Sequence, residues 1–91
     1  MRTFSRTSQF KKDVKRADQR GWDMTKLKAV LELLIDGELL PPEYKDHPLG
    51  GNFAGSRDCH VESDWVLIYT LTENGGHVRF ERTGTHSDLF R

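Results

Sequence analysis

The chain has little cysteine. Its one thiol, Cys59, excludes an intramolecular disulfide and a zinc cluster built on thiolates. Long apolar runs are missing as well: the longest, Trp65 to Tyr69, is far too short for a membrane helix, which takes about 20 residues. The opening Met1-Arg2-Thr3-Phe4-Ser5-Arg6 carries no apolar stretch of the signal-peptide kind, so the expected location is cytoplasmic, with no membrane partner. Repeats, linkers and low-complexity segments are absent, and 91 residues leave room for one core, so residues 1–91 are expected to form a single domain. Charge of one sign is lacking too, since 14 Lys and Arg balance 14 Asp and Glu.

That neutral sum hides a division. Residues 1–30 hold nine Lys or Arg against three Asp or Glu, a balance of +6, and the rest hold five against eleven, a balance of −6. A contiguous basic third attracts phosphate even on a neutral protein, which makes Lys11, Lys12, Lys15 and Arg16 candidate RNA contacts. The bland alternative is the solvated face of an amphipathic helix, the commoner meaning of a charge run.

Phe4 with its flanking Thr3 and Ser5 suits a short first strand. Phe10, Val14 and Ala17 recur at helical spacing between a Thr7-Ser8 start and a stop at Gly21, and Asp23 caps a second helix whose apolar stripe ends at Gly37. The short turn between them implies a helix hairpin. Pro41-Pro42 and His47-Pro48 hold the chain extended. After them come a short piece at Asn52-Phe53, a strand from Arg57 to Val61, a strand from Trp65 to Leu71 apolar on both faces, and a turn at Asn74-Gly75-Gly76. Val78 and Phe80 alternate with Arg79 and Glu81 on the returning strand. If that strand stays regular, Arg82, Gly84 and His86 continue the face of Val78 and Phe80. The expected class is α+β, with an N-terminal strand and a two-helix hairpin packed on a twisted, mainly antiparallel sheet.

Four histidines, at 47, 60, 77 and 86, carry the chemistry available near neutral pH. Two of them on opposite sides of a phosphodiester could take a proton from a ribose 2′-OH and give one to the departing 5′-oxygen. Arg82 has the rigid fork to meet the charge that develops on phosphorus, and Phe90 or Trp65 could stack on a splayed base. Plainer readings stand beside these. His47 also reads as a loop residue before proline, His60 as surface beside Asp58 and Glu62, His77 as solvated after a turn, Asp64 as a turn former and Trp65 as core. Arg82 could pair with Glu81 or Asp88, while His86 lies beyond the strand's apolar pattern. No spacing suits a metal: His60 and Asp64 face each other across a turn, and Cys59 points to the apolar side.

Three blocks together, Tyr44 to Leu49, Arg57 to Trp65, and Arg79 through His86 to Phe90, resemble the YafQ branch of the RelE/ParE toxin superfamily. The resemblance implies a compact RelE-like fold and the toxin of a bacterial type II toxin–antitoxin system, a metal-independent, cofactor-free endoribonuclease that cuts mRNA codons in the decoding site of the ribosome. It implies cleavage residues at His47, His60, Asp64, His86 and Phe90, supported by Arg82 and Trp65, with His47 as base and His86 as acid or the reverse. The ribosome with its 16S rRNA, mRNA, a ribbon-helix-helix antitoxin, and operator DNA reached through the antitoxin complex are the implied partners. The same superfamily offers a gyrase-binding module that needs no proton-transfer residues, and a third reading is a catalytically dead relative that only binds a partner.

Overall fold

Thr7 starts the first helix, α1 (Ser8–Gln19), by accepting the Phe10 amide hydrogen on its side chain at 2.9 Å. Asp23 does the same for α2 (Met24–Asp36), accepting from the Thr25 amide at 3.0 Å. Gly37 closes α2 in the left-handed region at φ 78°, where it and Glu38 return hydrogen bonds to the carbonyls of Leu34 and Leu33. The two helices therefore begin and end where local chemistry places them.

The computed structural model describes residues 1–90. Its strands are β1 (Thr3–Arg6), β2 (His47–Pro48), β3 (Arg57–Glu62), β4 (Trp65–Thr72) and β5 (His77–Gly84), and a last short helix, α3, covers His86–Leu89. They form one five-stranded sheet in the order β1-β5-β4-β3-β2. β2 to β5 pair antiparallel, whereas β1 lies parallel to β5, with Thr3 opposite His77. β4 is central and buried on both faces, as its unbroken apolar run requires. No helix among the described residues is long and apolar enough to cross a membrane.

The sheet has two differently covered faces. Under the helices Phe10, Ala17, Leu27, Val30 and Leu34 pack on Cys59, Leu67, Tyr69, Val78 and Phe80. On the opposite face Val66 and Ile68 are covered by Leu89 of α3, with Leu49 and Phe53 from the loop before β3. This thinner second layer leaves room for polar groups.

Two expectations about the C-terminal segment fail, each for a physical reason. Ile68 pairs with Arg82 but Tyr69 pairs with Phe80, so Glu81 is an inserted residue and the strand carries a bulge. Beyond it Arg82 and Gly84 share the face of Ile68 and Val66, while Thr83 joins the helix-side core, fully buried. The strand then stops. Thr85 accepts the Asp88 amide hydrogen and Asp88 accepts that of Thr85, a reciprocal cap that starts α3 and puts His86 on a helix instead of a strand. His77 departs from its expected solvation too: its ring nitrogens bond Thr3 Oγ1 at 2.7 Å and Ser5 Oγ at 2.9 Å, tying β1 to β5.

Candidate active site

Paired residues on neighbouring strands point to the same side of a sheet. His47 pairs with Asp58, Asp58 with Ile68 and Ile68 with Arg82, while His60 pairs with Val66 and Val66 with Gly84. These two rows cross the face left open by the helices. Gly84 lets α3 fold back against its end: a Cβ there would lie 2.9 Å from Asp88 Oδ2 and 3.2 Å from Arg16 Nη2. The fold-back delivers His86 and Phe90 to the same face.

The result is a continuous row of rings. His47 and His60 have centroids 6.4 Å apart, His60 and His86 5.2 Å, and His86 and Phe90 6.1 Å. His47 and His86 are each roughly half exposed at the side chain, so both are open to solvent. The carbonyl of Lys45 lies 2.7 Å from His47 Nδ1, and since a carbonyl only accepts, that nitrogen carries the proton and Nε2 is left to act as a base. His86 is held by Asp64, whose Oδ1 accepts the backbone amide at 3.0 Å and meets Nδ1 at 2.6 Å. The backbone and side-chain bonds from His86 hold the Asp64 carboxyl below its ordinary range, so it stays an anion beside Nδ1.

Asp58 is a site residue that sequence patterning does not single out. It is 3% exposed, and one carboxylate oxygen stands 3.1 Å from His47 Nδ1 without completing a well-aligned hydrogen bond. Burial pushes its carboxyl up, and the neighbouring His47, His60 and His86 pull it back down. The buried carboxyl thus lies beneath all three histidines. Its alternation with Cys59 suggests a surface strand, and only the cover of α3 and the Leu49–Phe53 loop makes the face an interior.

Other candidates fall differently. Trp65 is a correction: it is 2% exposed, its ring lies 4.9 Å from Trp22, and its Nε1 donates to Thr83 Oγ1, so it belongs to the core and offers no face to a base. Arg82 reaches past the edge of β5 to the fully buried Asp13, through Nε at 2.7 Å and Nη2 at 3.3 Å, and to neither of its expected partners. Asp13 also accepts from Gln9, Arg16 and the Thr83 amide, which offsets the cost of burying its charge. Nη1 of Arg82 is not spent on Asp13. Lys11, Lys12 and Lys15 are exposed on α1, but Arg16 pairs with Asp13 and Asp88 and is not part of a free basic face. Cys59 is fully buried and burial pushes its thiol up, so it is no nucleophile. No group of three or more His, Cys, Asp or Glu among the described residues is arranged to hold a metal ion.

Comparison with known proteins bears on this arrangement. Residues 2–91 match the family described as bacterial toxin of type II toxin–antitoxin system, YafQ. The mRNA interferase toxin YafQ of Escherichia coli K12 is 56% identical over 85 residues, spanning 92% of this chain and 90% of that protein. The crystal structure of YafQ from E. coli BL21(DE3) superposes with a TM-score of 0.93 at 52% identity, covering all of both chains. The crystal structure of the E. coli DinJ–YafQ toxin–antitoxin complex contains a chain that matches with a TM-score of 0.90 at 53% identity, over 99% of this chain and 98% of that one.

Proposed function

Because the chain belongs to the YafQ family of type II toxins, we propose that its histidine row cuts mRNA in the decoding site of the ribosome by paired proton transfer. The protein is an mRNA-cleaving toxin, and its partner is an antitoxin. Finer steps follow from the residues. His47 Nε2 takes the proton of a ribose 2′-OH, the 2′-oxygen attacks the adjacent phosphorus, and the 5′-oxygen leaves with a proton from the imidazolium of His86. The products are a 2′,3′-cyclic phosphate and a 5′-hydroxyl. His60, between the two, and Arg82 Nη1 stabilise the charge on phosphorus, while Phe90 stacks on a base of the codon. Asp64 orients His86, and Asp58 lies beneath the row. An antitoxin with a ribbon-helix-helix end, and operator binding through the complex, complete the reading.

The observation that carries this reading is the three-histidine row with its ends differently held: one by a carbonyl that leaves a base, one by a carboxylate that orients the ring of the acid. A gyrase-binding module needs neither. With ribosomes programmed by a short mRNA, His86→Ala is expected to slow cleavage about a hundredfold or more. Undiminished cleavage by that variant removes the assignment.

A further inference from the structure

The sheet face that carries the histidines also holds an aromatic pair and a cleft that the proton transfers do not use. Phe53, at the end of the Gly51–Phe53 turn, meets Phe90 edge-on with ring centroids 5.7 Å apart. Its ring packs on the cluster of Val66, Ile68 and Leu89, so it is fixed before any ligand arrives. Phe53 also walls a cleft of about 350 Å³ that is lined in part by Gln9, Asn52, Glu81 and Arg82. That volume falls in the range of small-ligand clefts, roughly 300–1,000 Å³.

The lining chemistry discriminates among ligands. An aromatic ring in the wall and two side-chain amides suit a planar heterocycle with both donors and acceptors at its edge. Asn52 is exposed, and the Gln9 amide nitrogen donates to Asp13 at 3.2 Å, which leaves its oxygen to accept. Glu81 lines the same cleft. Its carboxylate is held by Arg79 at 2.8 Å and by the Thr70 hydroxyl at 2.7 Å, yet it repels a phosphate group placed inside. The phosphate is therefore kept to the Arg82 side while the base enters.

We propose that this cleft is a base-binding subsite for a nucleotide neighbouring the scissile phosphate, with Phe53 as its stacking wall and Asn52 and Gln9 reading the base edge. It rests on the nuclease reading above and adds to it a second aromatic and a specificity-determining pair. Arg82, lining the cleft and lying in the row that contains Asp58 and His47, is the link between the subsite and the cut.

Ribosomes programmed with messages that differ by one base around the cut test the assignment in wild type, Phe53→Leu, Phe53→Trp, Asn52→Ala and His86→Ala. Leucine keeps the apolar packing but lacks the stacking face, so Phe53→Leu is expected to lower kcat/KM about tenfold and Phe53→Trp to restore most of it. Asn52→Ala, at an exposed position where folding is not at stake, is expected to flatten the preference among bases at one position of the codon. Thermal melts and antitoxin affinity report whether each variant is folded. Wild-type kcat/KM in Phe53→Leu together with an unchanged base preference in Asn52→Ala overturns the subsite, while loss of cleavage in His86→Ala leaves the nuclease reading standing. A wild-type protein that cuts none of the messages overturns both.

Discussion

Under the proposed mechanism, Asp58 trades stability for chemistry at a single side chain. A carboxyl whose pKa is raised in the folded state is favoured in its neutral form, so its contribution to stability is full below the ordinary carboxylate range and is lost as pH rises through the raised value. In its ionised form the group is a net cost, offset in part by His47, His60 and His86. Asp58→Asn is therefore expected to leave the melting temperature near pH 7 unchanged or higher while slowing cleavage. A variant that is less stable at neutral pH and cleaves at the wild-type rate would show that Asp58 is only a structural group. Asp13 makes the contrasting case, with both carboxylate oxygens bonded and Arg82 held by the pair. Neither aspartate was readable from the sequence as a buried group. An acidic residue in a charged helix or an alternating strand looks solvated until its distant partners are known, and for Asp13 these lie 69 and 70 residues away, at Arg82 and Thr83.

The elements divide by whether their cause is local. α1 and α2 were legible from apolar spacing and from Thr7, Asp23 and Gly37, and β4 from a run too apolar for an edge. The bulge at Glu81 and the helix α3 were not, because both answer to distant groups. Thr7 closes on the backbone of residues 80 and 81, and Asp13 takes the Thr83 amide, so the free edge of β5 is met by α1 rather than by a longer β1. α3 depends on Asp88, which accepts two bonds from Arg20 at 2.8 and 3.2 Å besides capping the helix. The Arg20 bonds hold its carboxyl well below the usual range, with the Thr85 bonds adding to this. A depressed carboxylate contributes stability that is present above its unfolded pKa, about 3.9, and lost as pH falls toward the folded value. Asp88→Asn is expected to cost on the order of 1 kcal/mol near pH 7, the usual scale of a missing cap, and to displace His86 and Phe90 so that cleavage falls as well. Urea unfolding at pH 7 and pH 3 checks the sign: the gap between wild type and variant should shrink at the lower pH, and a constant gap would remove Asp88 as the cause.

Across the whole molecule the charge and the chemistry lie in different layers. Lys11 and Lys15 border the groove between α1 and α2 together with Lys28, on the helical layer, whereas His47, His60 and His86 occupy the sheet's other face. Under the proposed function, an RNA strand seated on the histidines would therefore not be the strand that meets these lysines. The arrangement suits a protein held between two nucleic-acid surfaces, with rRNA on the helices and mRNA on the sheet. Changing Lys11, Lys12 and Lys15 together to Gln should weaken ribosome association and flatten its dependence on salt, by about 0.7–0.9 in the logarithmic slope for each phosphate no longer neutralised. The rate of cleavage at saturating ribosome should stay close to wild type, since none of the three touches the histidine row. Arg16 is left out of the set because its ion pairs with Asp13 and Asp88 make its removal a structural lesion. A salt slope equal to that of wild type would show these lysines to be an ordinary solvated face, and a lower cleavage rate at saturation would place them in the mRNA path.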